Sequence, residues 1–426
     1  MIKENNFWKS FFWGLTIVAL ALGLIGLYDR LAFGHKHANY GSYVPWGLWV
    51  AGYIYLIGLS AGAFLMSALV YVFRVKILER IGKLALLTAL ATLVGALLTI
   101  WMDIGHMGRV WRLIIKTNFR SVMGWMAWLY GTYFVLLLIE FWFAMRADLI
   151  RNQNVPGLKG ALCRFLSFGS SDISEERLLQ DARILRVLGS IGIPLAIAFH
   201  GSVGAIFGAV GARPYWNSGL TPIIFLVGAL LSGGGLLAMV TAIWGPNHTS
   251  EERKQITYFL GRIMLILLAL DVLLEWAEVS IGLWSGVPSE SESIKLVLFG
   301  NFWWVFWFVH LGMGVIIPSL LLLFRSRSMG AVALSGGLIA FTFISVRLNI
   351  VIPALAIPEL KGLETAFTGP GLSFNYFPSV TEWFLFFFTV AVAALIFLVG
   401  QKVLPVIETE ERKVHEPVFA TQNKEA

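Results

Sequence analysis

The chain has 426 residues, of which 58% are hydrophobic and 13% are charged, and its mean hydropathy is +0.76. Soluble domains carry about 25% charged residues, so this composition excludes a soluble globular protein and indicates an integral membrane protein. The formal net charge of +7 comes from basic residues between apolar stretches, which points to membrane orientation rather than to nucleic acid. The single cysteine, Cys163, excludes an intramolecular disulfide and a cysteine-ligated cluster held by this chain alone.

Ten apolar stretches are long enough to cross a bilayer, because a crossing helix needs about 20 residues. They predict an all-α integral membrane protein with ten transmembrane helices. The first stretch follows two lysines, as in a signal peptide, but no small-residue cleavage site lies near residue 30, so we expect it to be retained. The predicted spans are Ser10–Tyr28, Trp46–Phe73, Leu84–Met102, Ser121–Phe143, Val187–Val210, Leu220–Trp244, Phe259–Trp284, Phe302–Phe324, Gly330–Ile352 and Trp383–Val399.

The basic residues predict how the chain is oriented. Ten spans place both termini on one side of the membrane. Of the 32 Lys and Arg residues, 22 lie on that side and 9 on the other, and Arg347 lies within a span. Because cytoplasmic connections carry the excess of Lys and Arg, both termini are predicted to be cytoplasmic, in a multi-pass protein of the cytoplasmic (inner) membrane.

The connections suggest no additional domain. The longest, residues 144–186, leads into SSDISEERLLQDARILRV, which predicts an amphipathic surface helix with Ser170, Ser171 or Asp172 as its N-cap. The tail after Gln401 is polar and is expected to be poorly ordered. The sequence contains no phosphate-binding glycine motif and no C-x-x-C, so no nucleotide or redox domain is expected.

The second span, Trp46–Phe73, has no charged residue and carries small residues on one face. Gly58 and Gly62 are four residues apart, which lets another helix approach closely. The same face could instead be a smooth wall for a flat hydrophobic ligand, and the sequence leaves both interpretations open. Tyr43, Trp46 and Trp49 lie at its start and are typical of the aromatic belt at a membrane surface.

The third span ends in TIWMDIGHMGRVWR, which brings Asp103, His106 and Arg109 near the outer face. If the helix continues, Asp103 and His106 share one face, and a carboxylate beside an imidazole can relay a proton. His200, 13 residues into the fifth span, is expected to face the same region. The alternatives are an ordinary polar helix end, and a histidine that serves only helix packing.

The seventh span carries three carboxyl groups, Asp271, Glu275 and Glu278, on one helical face. Ionisable groups are costly inside a bilayer, and Arg347 in the ninth span is the natural partner for them. His310 in the eighth span could complete a proton pathway. A buried ion-pair network that only stabilises the helices is an equal alternative.

Several stretches also occur in the order typical of one family. They are PWGLWVAGYIYLIGLSAGAF, DIGHMGR, SVMGWMAW, GARPYWNSGLTPIIFLVGALLSGGGL and WWVFWFVHLGMGVIIPSLLL. With them the chain resembles the NrfD/polysulfide reductase membrane-subunit family (PsrC-like). The ten spans and the long loop before the fifth are most similar to its DsrP and Hdr-like menaquinol oxidoreductase branch.

The resemblance implies two four-helix bundles, in residues 46–210 and 211–355, with flanking helices in residues 1–45 and 356–426. It implies menaquinone chemistry near the outer face of the first bundle and no metal, haem or iron-sulfur cluster in this chain. Only two histidines lie well inside spans, whereas a diheme cytochrome b needs four. The residues that would form the quinone site are Tyr43, Trp46, Asp103, His106, Arg109, Trp125, Trp128 and His200.

The predicted function is that of a quinol/quinone-interacting membrane subunit of a respiratory redox complex in sulfur metabolism. It would exchange electrons between menaquinone and an extracytoplasmic ferredoxin-like iron-sulfur subunit, with a link to proton movement. Further partners would be a cytochrome and a second membrane subunit, and no nucleic acid is expected. A secondary transporter or proton channel that uses the polar residues of spans seven to nine is the first alternative. A membrane anchor without chemistry is the second.

Overall fold

The computed structural model describes residues 7–246, 251–367 and 369–407. No β-strand occurs in these three segments. Ten of their helices are long and apolar enough to cross a membrane, which confirms the predicted class and the number of spans. Most of the tail that was predicted to be poorly ordered, residues 408–426, lies outside the described residues.

We label the spans α1 to α10 in chain order and identify the shorter helices by their residues. The spans are α1 (Phe7–Phe33), α2 (Leu48–Tyr71), α3 (Gly82–Asp103), α4 (Val122–Asn152), α5 (Glu175–Gly208), α6 (Thr221–Trp244), α7 (Glu251–Trp284), α8 (Val305–Phe324), α9 (Met329–Ala356) and α10 (Val380–Val403). Shorter helices are Lys76–Ile81, Met107–Arg109, Arg112–Ile115, Leu158–Leu166, Pro288–Phe299 and Leu363–Ala366.

The prediction of a separate surface helix before the fifth span is wrong. Its residues are the first turns of the 34-residue helix α5, and the N-cap is Ser174, whose hydroxyl accepts from the Arg177 backbone N–H (3.4 Å). The helix runs on into the membrane because the stretch from Glu175 to Val187 contains no Gly or Pro that would end it. A buried ion pair between Arg146 of α4 and Asp181 (2.6 Å) fixes this extension.

Helix α2 lies in the centre of the molecule and packs on α3, α5, α6 and α9. Gly62 of α2 meets Gly233 of α6, where a Cβ added at Gly233 would lie 2.6 Å from the Gly62 Cα. No real Cβ contact is that short, so the two backbones touch only because neither position has a side chain. Gly62 therefore has the helix-packing role that the sequence had left open.

Helices α1 and α10 pack against each other at the edge of the molecule, and α10 also packs on α3. Helices α2 to α5 pack among themselves, as do α6 to α9, and we call these sets the first and the second group. Packing between the groups, chiefly of α2 and α5 on α6, is extensive but smaller than the packing within either group. The division into two four-helix bundles and the corresponding domain boundaries stay a prediction.

Buried polar groups tie the helix ends together on the side opposite the chain termini, which we call the far end. Arg30 of α1 donates to the carbonyl oxygens of Met102 (2.6 Å) and Ile104 (2.9 Å). The carboxylate of Glu382, at the start of α10, accepts from the Tyr376 hydroxyl (2.6 Å) and from a backbone N–H before α2. These bonds hold the ends of α1, α3 and α10 in one place, so the far end is a rigid platform.

Candidate functional site

Asp103 is the last residue of α3, because Ile104 is extended (ψ 125°) and Gly105 follows. The expectation that Asp103 and His106 share a helical face is therefore wrong: the helix does not continue to His106. His106 and Arg109 are exposed, in a separate turn. The sequence placed these residues correctly near a helix end, but the helix ends at Asp103, before it reaches His106.

The groups around Asp103 come from other parts of the chain. Its carboxylate interacts electrostatically with the Arg30 guanidinium. The phenols of Tyr40 and Tyr53 are also close enough to feel the charge of Asp103. The Tyr40 hydroxyl is hydrogen-bonded to Nδ1 of His35. Sequence reasoning missed His35, Tyr40 and Tyr53, although the first two lie in a short polar loop and Tyr53 interrupts an apolar span.

Two of these groups lie outside the spans, and their pKa values differ from the ordinary ones. Burial, and next the charge of Arg30, lower the pKa of His35, so its imidazole is neutral near pH 7. Burial, and next the charge of Asp103, raise the pKa of the Tyr40 phenol well above its usual value, so it keeps its proton. The far end thus has a carboxyl, a phenol and an imidazole in sequence.

Tyr130 of α4 supplies an unpaired hydroxyl in the same region. This hydroxyl is buried and has no hydrogen-bond partner among the residues that the structure describes. Its ring packs edge-on against Phe199 (4.7 Å between centroids), and it lies in coulombic range of Tyr53. Because an unpaired buried hydroxyl is unfavourable, a ligand that pairs it would gain free energy.

The predicted aromatic residues occupy several distinct environments. Tyr43 stacks on Phe374 (4.5 Å between centroids), and Trp46 stacks on Trp216 (5.6 Å). Trp125 and Trp128 are exposed, and their indole N–H groups donate to Phe119 and Thr117 respectively. Whether these side chains contact a quinone stays a prediction.

The structure brings His200 close to Arg347, which the sequence had assigned to a different site. A Cβ added at Gly58 would lie 3.5 Å from Cε1 of His200 and 3.7 Å from Nη2 of Arg347, so both side chains flank this glycine. Both residues are buried, with exposures of 0% and 1%. Gly58 thus leaves room for polar side chains between the two groups, whereas Gly62 serves helix packing.

Arg347 does not form the ion pair that the sequence predicted. Its guanidinium lies over the rings of Phe225 (4.3 Å) and Phe343 (5.1 Å). Within the described segments its three nitrogens have no hydrogen-bond partner, and Asp271 interacts with it only at longer range. Stacking on aromatic faces partly compensates the buried charge, as is typical of arginine.

Among the carboxyl groups of α7, Glu275 pairs with His310 rather than with Arg347. Nε2 of His310 lies 2.8 Å from Oε2 of Glu275. Asp271 and Glu278 lie along the same face, and the Ser218 hydroxyl is a hydrogen-bond partner of Glu278. His310 lies within a π-helix, Val305–Ile316, that forms the first part of α8. Long π-helical segments are rare and often occur at functional sites.

These groups face a cavity in the second group of spans. Its empty volume is about 880 Å³, part of which is open to the surface. The polar lining consists of Tyr215, Thr221, Asp271, Glu275, Glu278, His310 and Asn349. The remaining lining is apolar and includes Phe225 and Phe306. A mixed wall of this kind is typical of pockets for small organic ligands.

Comparison with known proteins identifies the family. The family model described as polysulphide reductase, NrfD, matches residues 36–359, which is most of the chain and includes both polar regions. The chain belongs to the NrfD family. The resemblance seen in the sequence motifs is thereby confirmed, and with ten apolar helices the chain is a multi-pass membrane protein of this family.

Relatives extend along almost the entire length of this NrfD-family chain. A selenate reductase subunit of Mesobacillus selenatarsenatis is 36% identical over 414 residues, with 96% of each protein covered. The Hdr-like menaquinol oxidoreductase integral membrane subunit of Archaeoglobus fulgidus is 29% identical, also with 96% of each covered. The menaquinone reductase integral membrane subunit of Nitratidesulfovibrio vulgaris is 23% identical, with 96% of this chain and 93% of the relative covered. The chain is thus similar to membrane subunits of oxidoreductase complexes.

Within the described residues, the acidic and imidazole side chains do not converge in one cluster. No group of three or more His, Cys, Asp or Glu residues in residues 7–246, 251–367 and 369–407 is arranged to hold a metal ion. The acidic side chains of α7 therefore lack the convergence that a metal site requires.

Proposed function

We propose that this chain is the subunit of a respiratory redox complex that binds menaquinol or menaquinone in the membrane. Two relatives of nearly full coverage are named for menaquinol or menaquinone, which supports this proposal. The observation that carries it is the cluster at the far end of the first group, in which Asp103 lies near Tyr53 and Tyr130 has an unpaired hydroxyl. Such groups can form hydrogen bonds with the oxygen atoms of a quinone ring.

The side chains at the far end have the chemistry that a quinol requires. A bound quinol supplies two electrons and two protons when it is oxidised. The Tyr130 hydroxyl can form a hydrogen bond with a ring oxygen, and Asp103 can accept a proton as a general base. The hydrogen-bonded pair of Tyr40 and His35 lies near Asp103 and would be the next group in a proton relay. His106, exposed beyond the helix end, and His200, buried beside Arg347, stay less direct candidates.

The electrons would pass to or from a partner subunit. A chain with one cysteine cannot hold a four-cysteine cluster by itself, so an iron-sulfur subunit beside the far end is the expected partner. This partner would lie on the outer side of the cytoplasmic membrane. The far end is opposite the two termini, and the basic residues predict that the termini are cytoplasmic. A cytochrome and a second membrane subunit complete the proposed assembly.

Proton movement is the second part of the proposal, and it is supported by the second group of spans. The bond between His310 and Glu275, with Asp271 and Glu278 on the same face, provides groups that can carry protons inside the membrane. The same observation supports the alternative of a secondary transporter or proton channel. A membrane anchor without chemistry would leave these buried groups without a role.

Purification of the complex from native membranes separates these functions. A quinone subunit is expected to co-purify with menaquinone and with iron-sulfur subunits, and added menaquinol should reduce the clusters. A transporter or channel would be purified without such subunits. A membrane anchor would co-purify with the iron-sulfur subunits. In that case menaquinol would reduce their clusters at the same rate with and without this chain.

The orientation has its own test. With 22 of 32 basic residues on the side of the termini, a phosphatase reporter fused after Ala426 is expected to be inactive, because it stays in the cytoplasm. The same reporter inserted after Gly286, in the far-end loop that follows α7, is the matched control and should be active. If only the C-terminal fusion were active, the chain would have the opposite orientation.

A further inference from the structure

The cavity in the second group of spans is separate from the cluster at Asp103. It lies between α6, α7, the π-helix of α8, α9 and the short helix Pro288–Phe299. Phe225, Phe306 and Ile350 give it apolar and partly aromatic walls. An apolar wall is unfavourable for a chain of water molecules but suits a flat organic ring.

Two of the polar side chains that line this cavity have unpaired groups. Asp271 is 6% exposed and lines the cavity, yet it makes no hydrogen bond or ion pair within the described chain. Nδ2 of Asn349 is also buried, with no acceptor in the same part of the chain. An unpaired acceptor and an unpaired donor therefore belong to residues that line one space, and a ligand with a carbonyl and a hydroxyl oxygen would satisfy them.

The third polar element is the pair of His310 and Glu275. Its two side chains come from different helices and meet at 2.8 Å. An imidazole that is already hydrogen-bonded to a carboxylate can take up or release a proton at low cost. The cavity thus combines a donor for a carbonyl oxygen with acceptors for a hydroxyl proton.

The packing of the helices provides a way in. Helix α7 packs mainly on α6 and the π-helix packs mainly on α9, and the bond between Glu275 and His310 bridges the space between α7 and the π-helix. The Glu275 side chain is 28% exposed, so this bridge reaches the molecular surface within the membrane-spanning region. A ligand dissolved in the bilayer could enter here with its tail left in the lipid.

We propose that this cavity binds the ring of a quinol or quinone, as a second site in addition to the one at Asp103. The inference rests on the proposed quinone function and extends it. Asn349 donates to one ring oxygen, and Asp271 and the His310–Glu275 pair face the other. In this arrangement a bound quinol lies beside the carboxyl groups that are proposed to carry protons.

Photo-crosslinking tests this inference on the purified complex. An azido-quinone is added, and labelled peptides are quantified by mass spectrometry. Two labelled regions are expected: one around Tyr53 and Tyr130, and one around residues 271–279 and 346–350. Asn349→Leu should lower labelling of the second region about tenfold and leave the first unchanged, because it replaces an unpaired amide with an apolar side chain of similar size.

Controls keep the outcomes distinct. Asn301→Leu makes the same change at an exposed position and should alter neither region. Labelling confined to the first region of the unaltered complex would overturn the second site and leave the proposed function intact. Unchanged labelling at residues 271–279 and 346–350 in Asn349→Leu would also overturn it. If neither region is labelled, both the second site and the proposed function fail.

Discussion

Replacing Asp103 by Asn is expected to slow menaquinol-dependent reduction of the partner clusters by about a hundredfold, the usual scale for loss of a general base. Asn has nearly the same shape but cannot accept a proton. Arg30 keeps its two bonds to the carbonyl oxygens of Met102 and Ile104, so the far end should stay folded. The loss should therefore appear in turnover and not in the amount of assembled complex.

The measurement is the rate of cluster reduction after menaquinol is mixed with the assembled complex. Asp29→Asn is the matched control, because Asp29 lies at the same end of the membrane in an ion pair with His37 (2.7 Å) outside the proposed site. Its rate should equal that of the unaltered protein. An Asp103→Asn complex that assembles and turns over at the full rate would show that the quinol is deprotonated elsewhere.

Gly233→Val is expected to destabilise the folded chain by about 3 kcal/mol or more, the upper part of the range for an overpacked core. A Cβ at this position would lie 2.6 Å from the backbone nitrogen of Ala63 and 2.7 Å from the carbonyl oxygen of Leu59. These are backbone atoms of α2, which cannot move aside as a flexible side chain can. Helices α2 and α6 would have to separate at the centre of the molecule.

The measurement is the fraction of protein that stays monodisperse in detergent after heating, compared over a range of temperatures. Gly131→Val on α4 is the control, since an added Cβ there has no atom within 4 Å. It should retain the melting behaviour of the unaltered chain. Equal melting of the two variants would mean that α2 and α6 do not touch backbone to backbone.

The sequence was sufficient for features that depend on one segment at a time. Whether Leu84–Met102 or Trp383–Val399 crosses a membrane depends on the transfer of that segment from water to hydrocarbon, and hydropathy measures this directly. The spacing of Gly58 and Gly62 likewise indicated a face of small residues, although it left helix packing and a ligand wall both open. The motifs around Asp103 and His310 also indicated the family without any contact between helices.

Local patterns failed where a helix end or a neighbour decided the result. The acidic segment that begins at Glu175 has the composition of a surface helix, but it forms the first turns of α5, because no Gly or Pro separates it from the membrane-spanning part. A shared face for Asp103 and His106 required the helix to continue, but the chain leaves the helix at Ile104. Both differences arise because capping and helix continuation depend on the next few residues rather than on polarity.

The sequence by itself determined that the chain is a ten-span membrane protein with polar side chains in the third, fifth and seventh to ninth spans. Only the tertiary structure decided which of these side chains meet: His200 with Arg347, His310 with Glu275, and Asp103 with residues of α1 and the loop after it. The physical reason is that lipid is as apolar as a leucine side chain, so hydropathy does not specify which helices pack together. Close backbone contacts such as that of Gly62 with Gly233, and hydrogen bonds between helices, make that choice.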